Sequence, residues 1–420
     1  MAFLRTISTR RLLVLVAATV AVGAGGTAIA VAATSGGPVP PKESLAKAIH
    51  GALGAKQVTG ITASITFTNQ LISSSNLGEL ASPLLTGSTG RLWLSTDHNM
   101  LRLELQGNNG DAQLVVNGKS FWVYDPSSNT IYQGDLPASA TKTANSTKAS
   151  KPDVIPSLAK IQTEISSLGK DLNLSGAIPG DVAGQPTYTV KVTPPHSGGL
   201  LGAAAIAFDA VHGVPLQFSV YATGASAPVL QLTATDITYG PVDPSAFAVQ
   251  QPAGAKVVNV SVPSGSAASA KGSHAKRERD LKTAVTGAAA VASKVHFSLV
   301  SPSKLVGLPR RSVRLLDWGG SPAALLTYGQ NLGGIVVIEQ KADPAAAAST
   351  AGTAASGTAT SSHSGRHSEL ALPTVSINGA TGTELDTALG TMIRFTRAGV
   401  AYTVLGSVPP VAAEAAARGL

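Results

Sequence analysis

The sequence predicts an α+β fold: an open, strongly curved antiparallel β-sheet, a half-barrel covered by helices, followed by a smaller C-terminal α+β domain. Three observations predict it. From Gly90 to Leu136 apolar and polar residues alternate in short runs, as in Leu101, Leu103 and Leu105 against Arg102, Glu104 and Gln106. Those runs are divided by turn residues at regular spacing: Asp97-His98-Asn99, Gly107 to Gly110, Asn117-Gly118 and Asp125 to Asn129. Finally, the same one-sided pattern recurs further along the chain with only two or three amphipathic helical stretches to cover it.

Taken in order, Arg5, Arg10 and Arg11 precede an uncharged run from Leu12 to Ala33, long enough to span a bilayer. The run is a signal peptide, with a small-residue site at Ala28-Ile29-Ala30, or a retained signal anchor following a cytoplasmic basic segment, 1–11. Either way the bulk lies outside the cytoplasm: on the cell membrane if the helix stays, secreted if it is cleaved. Lys42 to Ala55 is predicted helical, with Leu45, Ile49 and Leu53 on one face. The strand from Ile61 to Ile72 turns Ile61, Ala63, Ile65, Phe67 and Leu71 inward. Residues 73–89 form a loop with a short helix around Leu77 to Leu85, and the meander follows.

Residues 137–150 are a polar linker. Pro152 to Leu168 is predicted helical on the spacing of Ile155, Leu158, Ile161 and Ile165, and strands are expected at Thr187–Thr193, Ala204–Asp209, Pro215–Tyr221 and Val229–Tyr239. About ten strands would thus form one domain spanning 40–258. A low-complexity linker, 259–275, leads to a second domain, 276–420. Its expected elements are a helix over Lys276–Ser293, strands at Val313–Leu316, Ala323–Tyr328, Gly334–Gln340, Thr391–Arg397 and Val400–Ser407, and a helix from Pro410. A low-complexity insertion, 342–370, interrupts it.

Charge narrows the function. Residues 34–262 carry 13 Lys/Arg against 14 Asp/Glu, so the central region lacks the basic footprint of a nucleic-acid binder. Residues 271–420 carry 15 against 9, an excess that reads as scattered surface charge before it reads as a face for an anionic surface. There is no Cys, which removes disulfides, thiolate nucleophiles and lipidation at a lipobox. Gly118-Lys119-Ser120 imitates the end of a phosphate loop, but Gln113 stands where the first Gly is needed and the tripeptide opens no helix. His363 and His367 lie in the low-complexity insertion, and the carboxylates are scattered singly. The expectation is a protein that is no enzyme and uses no cofactor or metal.

The residues that carry function are therefore the oily ones. The candidate lining of an apolar cavity is Ile65, Phe67, Leu92, Leu94, Leu101, Leu103, Leu105, Leu114, Val116, Trp122, Tyr124, Leu216, Phe218, Leu230 and Leu232. Trp93 is weighed with Trp122 and Tyr124 as lining or core.

These stretches resemble a known family. Gly90-Arg91-Leu92-Trp93-Leu94 is similar to the G-x-L-W strand of the LolA-type lipoprotein carriers, and Asn117 to Pro126, NGKSFWVYDP, to their DGKTLWFYNP hairpin. Phe247-Ala248-Val249 through Gly254-Ala255-Lys256-Val257 resembles their closing F-x-x-x-P-x-G-x-x-V. Arg102-Leu103-Glu104 with Gly107 is similar to the RLE-x-x-G of the RseB (MucB) periplasmic regulators. Tyr328 to Glu339 resembles their YSDGL-x-x-x-SVFIE, and Tyr402 to Pro410 their TVVGEVP before a helix. The resemblance implies a half-barrel that accepts acyl chains plus a C-terminal α+β domain. It departs from the carriers where Thr96 and Asp97 replace an Arg-Pro pair that helps latch the helical lid. The function expected is a membrane-tethered, extracytoplasmic binder of the acyl part of a lipid or lipoprotein. The alternative is an envelope-stress sensor whose C-terminal domain binds a membrane protein such as an anti-sigma factor.

Overall fold

The computed structural model describes residues 37–72, 82–108, 110–136, 156–170, 172–194, 198–260, 285–318, 321–330, 333–342 and 372–420. The basic segment and apolar run 1–33, the linker 137–150, the linker 261–275 and the insertion from 343 to 370 lie outside them. The chain forms two compact units: Met1–Ser197 with Gly202–Ala267, and Gly198–Leu201 with Ala268–Leu420.

In the first unit a helix, α1 (Leu45–Gly54), starts at Ser44, whose hydroxyl accepts a bond from the Lys47 N–H at 3.3 Å. Strand β1 (Gly60–Asn69) follows, then a one-turn helix α2 (Pro83–Thr86) capped by Ser82. The meander comes next as β2 (Gly87–Ser95), β3 (Met100–Leu105), β4 (Ala112–Asn117), β5 (Ser120–Asp125) and β6 (Thr130–Asp135). The turn signals operate as expected: Asn99 (φ 51), Gly118 (φ 61) and Asn129 (φ 44) take the left-handed conformation that closes these hairpins. Helix α3 (Leu158–Leu168), capped by Ser157, precedes β7 (Asn173–Leu174), β8 (Ile178–Val182), β9 (Gln185–Thr193), β10 (Leu201–Asp209), β11 (Pro215–Ala222) and β12 (Leu230–Tyr239).

One sheet results, ordered β13-β6-β5-β4-β3-β2-β1-β12-β11-β10-β9-β7, with β8 on β9 and with β13 (Lys256–Asn259) as its far edge. It is wider than the ten strands expected. The short β7, β8 and β13 are too brief to show alternation. After β12 the chain travels to the other side of the sheet, making a 3₁₀ turn at Pro244–Phe247 against β3, and adds β13 parallel to β6. Leu71 lies beyond the end of β1, where the Asn69 side chain accepts from the Leu71 N–H at 3.1 Å and turns the chain. The helix expected around Leu77 to Leu85 is the shorter α2, and residues 73–81 lie outside the described residues.

Close strand approach needs glycine at one position of the meander. A β-carbon on Gly90 would stand 1.9 Å from the Glu104 carbonyl oxygen, so the G-x-L-W glycine lets β2 and β3 close up as the sheet coils.

The second unit is an eight-stranded sheet, β14 (Lys304–Leu305), β15 (Leu308–Trp318), β16 (Ser321–Tyr328), β17 (Ile335–Lys341), β21 (Val400–Gly406), β20 (Gly390–Arg397), β19 (Ala380–Thr387) and β18 (Thr374–Ile377), in that spatial order. Helices α4 (Ala288–Ala292) and α5 (Pro410–Arg418) contact it. The helix expected over Lys276–Ser293 is a correction: Thr286 bridges Arg314 in antiparallel fashion, and only Ala288–Ala292 is helical among the described residues. Gly287 (φ 97) marks the switch from strand-like to helical backbone. Alanines at 413, 416 and 417, all on one helical face, bring α5 close against the sheet and are fully buried.

Candidate functional site

Strand register decides which side chains meet. Ile61 pairs with Leu94, Ala63 with Leu92, Leu94 with Leu101, Leu92 with Leu103, Leu103 with Leu114 and Leu101 with Val116, so one face of β1 to β4 is continuously aliphatic. On the other side of β1, Ile65 pairs with Ala234 and Phe67 with Leu232, and Leu232 pairs with Phe218. A bulge between Ser64 and Ile65 shifts the β12 register, so that Ala234 and Ile237, three apart, both face inward.

All of these inward-facing residues but Phe67 wall a cavity of about 290 Å³. Its walls come from β1, β2, β3, β4, β10, β11 and β12, with Ser95, Thr96 and Asn99 at one end. Strands β4 and β10 lie six places apart in the sheet, which in a flat sheet would be roughly 29 Å at about 4.8 Å per strand. That both wall one small cavity shows how strongly the sheet curls.

Of the residues expected to line it, Ile65, Leu92, Leu94, Leu101, Leu103, Leu114, Val116, Leu216, Phe218 and Leu232 do so. Phe67 and Leu105 share the inward face but pack in the core cluster with Leu84, Ala112 and Ile65 that fills the other end of the trough. Leu230 also keeps the inward parity, opposite Val220, and lies outside the lining.

Trp122 and Tyr124 are corrections. The two-residue turn at Gly118-Lys119 pairs Val116 with Phe121 and Leu114 with Val123, which puts Trp122 and Tyr124 on the opposite face with Val115 and Gln113. Trp93 belongs to that outer face too, paired with Thr62 and Arg102. The Arg102 guanidinium lies 4.7 Å from the Trp93 ring centroid, forms an ion pair with Glu104, and donates to the Ala246 carbonyl of the returning chain at 3.1 Å.

Lining residues absent from the expectation are Ile61, Ala63, Ser95, Thr96, Asn99, Met100, Ile206, Val214, Pro215, Gln217, Ala234 and Ile237. Ile61 and Ala63 were legible from the alternation of β1, whereas Ala234 and Ile237 depend on the bulge. The two longer helices sit elsewhere than over the meander: α1 contributes Leu45, Ala48, Ile49 and Ala52, and α3 Ile165, to a cluster with Tyr188, Val190 and Phe208 of β9 and β10. His50 Nδ1 lies 3.1 Å from the Pro156 carbonyl, tying the two helical segments. Among the described residues, no helix residue lines the cavity.

No lining residue carries a charge, and the polar side chains are Ser95, Thr96, Asn99 and Gln217. Thr96 is bonded to the Val58 carbonyl at 2.7 Å, and Ser95 Oγ lies 3.1 Å from His98 Nδ1. Beside the cavity wall, Asp209 is completely buried yet stays readily ionised: desolvation opposes the charge, but bonds from Tyr239, His212 and Val211 outweigh it and hold the carboxyl below its ordinary range. Burial, with the bond to Asp209, raises the Tyr239 phenol in turn.

The second unit buries a carboxyl under other terms. Glu339, fully buried on β17 opposite Tyr402, accepts from the Val300 N–H at 2.9 Å. Its Oε1 has no partner among the described residues. Desolvation dominates there, only partly offset by the Val300 bond, and pushes its pKa up to about 7.

No group of His, Asp and Glu suited to a metal occurs among the described residues, and no described helix is long and apolar enough to cross a membrane. No family model and no curated protein matches the sequence. Solved structures do. A chain of the Pseudomonas aeruginosa MucA/MucB complex is 13% identical over 89% of this chain and 96% of its own, with a TM-score of 0.39. An uncharacterised conserved protein from Thermus thermophilus is 11% identical over 51% and 97%, TM-score 0.30. A LolA-superfamily protein from Nitrosomonas europaea is 9% identical over 50% and 99%, TM-score 0.20. In fold, the chain is similar to these MucB and LolA-superfamily structures.

Proposed function

We propose that the protein is an extracytoplasmic, membrane-tethered binding protein whose first unit holds the acyl portion of a lipid or lipoprotein. The observation that carries this reading is the uncharged, largely aliphatic cavity of about 290 Å³, near the lower end of ligand-pocket volumes of about 300 Å³. An aliphatic chain is the ligand that leaves no polar group unpaired there. A charged or hydrogen-bonding molecule would lose its hydration against walls that return little. Burying roughly ten methylene groups would contribute about 8 kcal/mol before ordering costs. Tethering rests on the apolar run Leu12 to Ala33 behind three arginines.

Titration of the protein with a fluorescent fatty-acyl probe tests it. Saturable binding at one site per chain, abolished by Leu94→Asp, is expected. A probe that fails to bind, or binds the Leu94→Asp variant equally, would contradict it.

A second reading, a regulatory one, draws on the excess of 15 basic over 9 acidic residues in 271–420. The second unit would then dock a membrane protein such as an anti-sigma factor. A pull-down from solubilised native membranes that retains no membrane protein would retire it.

A further inference from the structure

Asp209 ends β10 and is fully buried, a costly place for a carboxylate in a turn that backbone bonds already close. Those backbone bonds run from the Asp209 N–H to the Val214 carbonyl at 2.8 Å and from the Gly213 N–H to the Asp209 carbonyl at 2.9 Å. The side chain adds four more. Its Oδ1 accepts from the Val211 and His212 N–H groups at 2.6 and 2.9 Å. Its Oδ2 accepts from the Tyr239 hydroxyl and faces His212 Nδ1 at 3.0 Å, and the His212 ring lies on the Tyr239 ring at 4.0 Å between centroids.

Tyr239 is the last residue of β12, on the far side of β11, so this network ties the turn across a strand. The tie lands at the cavity. Tyr239 pairs with Ile61, and Ile61, Val214 and Pro215 are all lining residues. The turn's outer residue, Val211, is 62% exposed. At Gly213 (φ +67) a β-carbon would come 2.3 Å from the Ala52 carbonyl, so the end of helix α1 rests on the same turn. Cavity wall, the end of α1 and β12 therefore meet at this one short turn, and the buried carboxylate ties the turn to β12.

Building on the acyl-binding reading, we propose that Asp209 is a positioning residue which, with Tyr239 and His212, latches the 209–215 turn over the cavity, and that this turn is the part that swings to admit and release ligand. Three of the four side-chain bonds stay inside the turn and hold its shape, and the Tyr239 bond alone among them crosses to β12, so parting it frees the turn as one unit.

The experiment is stopped-flow release of a fluorescent fatty-acyl probe from the full chain, with amide hydrogen exchange of the ligand-free protein alongside. Tyr239→Phe keeps the ring and removes one bond. Asp209→Asn keeps the shape and turns an acceptor into a donor. Release is expected to speed up at least tenfold in Asp209→Asn and several-fold in Tyr239→Phe, with faster exchange confined to the turn. Asp125→Asn, which unties a turn remote from the lining, should release at the wild-type rate. Wild-type release rates in both latch variants, or turn amides as protected as in wild type, would overturn the latch. If Asp209→Asn does not fold, Tyr239→Phe decides alone. A wild-type protein that takes up no probe would fail the acyl-binding reading instead. Amide exchange then judges the latch separately: turn amides in the variants that exchange as in wild type would overturn it.

Discussion

In the second unit the oily face of the sheet disappears: Leu326, Val337, Ile393 and Val404 are 0% exposed in one core that also takes in the equally buried Ala413, Ala416 and Ala417 of α5. In the first unit Leu92, Leu94, Leu101, Leu103 and Leu114, on an equally aliphatic face, remain half-buried. The difference lies in where the helices land. The alanine-faced α5 rests against β18, β20 and β21, whereas α1 and α3 pack over β9 and β10, and among the described residues no helix residue reaches the cavity lining. A sheet of one-sided strands becomes a core or a container according to the size and placement of its cover. The two buried carboxyls diverge in parallel: four bonds keep Asp209 charged, and a single N–H leaves Glu339 inclined to hold its proton.

The contrast can be broken most forcefully by truncation. Leu326→Ala should cost the second unit about 3 to 4 kcal/mol, because a filled core cannot collapse around the loss. Leu103→Ala should cost the first unit about 1 kcal/mol, because that wall already faces a void. Equal losses in denaturant unfolding of the two variants would erase the distinction.

Next in size are opposite pH responses. The folded pKa of Glu339 lies above its ordinary 4.5, so its contribution is complete below that value and is lost as pH rises through about 7. The loss approaches about 3 kcal/mol at about 1.4 kcal/mol per unit. Glu339→Gln should flatten this dependence between pH 5 and 8, read from thermal unfolding of the second unit. Asp209, depressed below its ordinary 3.8, contributes above that value and is lost as the pH falls through its lowered pKa, so Asp209→Asn should remove an acid-side loss from the first unit.

Enlarged side chains should also affect the two units differently. Ala413→Leu should destabilise the second unit by about 2 kcal/mol through overpacking. Leu103→Trp should be tolerated in the first to within about 1 kcal/mol while abolishing acyl-probe binding. The smallest effect belongs to Trp122→Ala: on the outer face, it should change probe affinity less than about twofold, despite removing the largest side chain of the hairpin.

Much of this was legible from residue order. Alternation located the meander and the inward set of β1 to β4, and Asn-Gly and Asp/Asn turns placed its corners, because each signal is local. The face of Trp122 and Tyr124 follows from the turn and not from their aromatic character: pairing Asn117 with Ser120 across a two-residue turn forces Phe121 and Val123 inward and the two larger rings outward. The bulge opposite Ser64–Ile65 was not legible, since nothing in Leu230 to Tyr239 marks where one residue of the strand drops out of register. Nor was the position of α1. The stripe of Leu45 and Ile49 says that a face is buried, and only tertiary packing says that it is buried on Tyr188 and Phe208. The return of the chain to form β13 beside β6 escaped for the same reason.

Native mass spectrometry of the full chain purified from its own host, wild type beside Leu103→Trp, addresses the container most directly. Wild-type protein is expected to carry an acyl-bearing adduct that is missing from the variant. A wild-type protein of bare chain mass that also takes up no labelled fatty-acyl probe would contradict it.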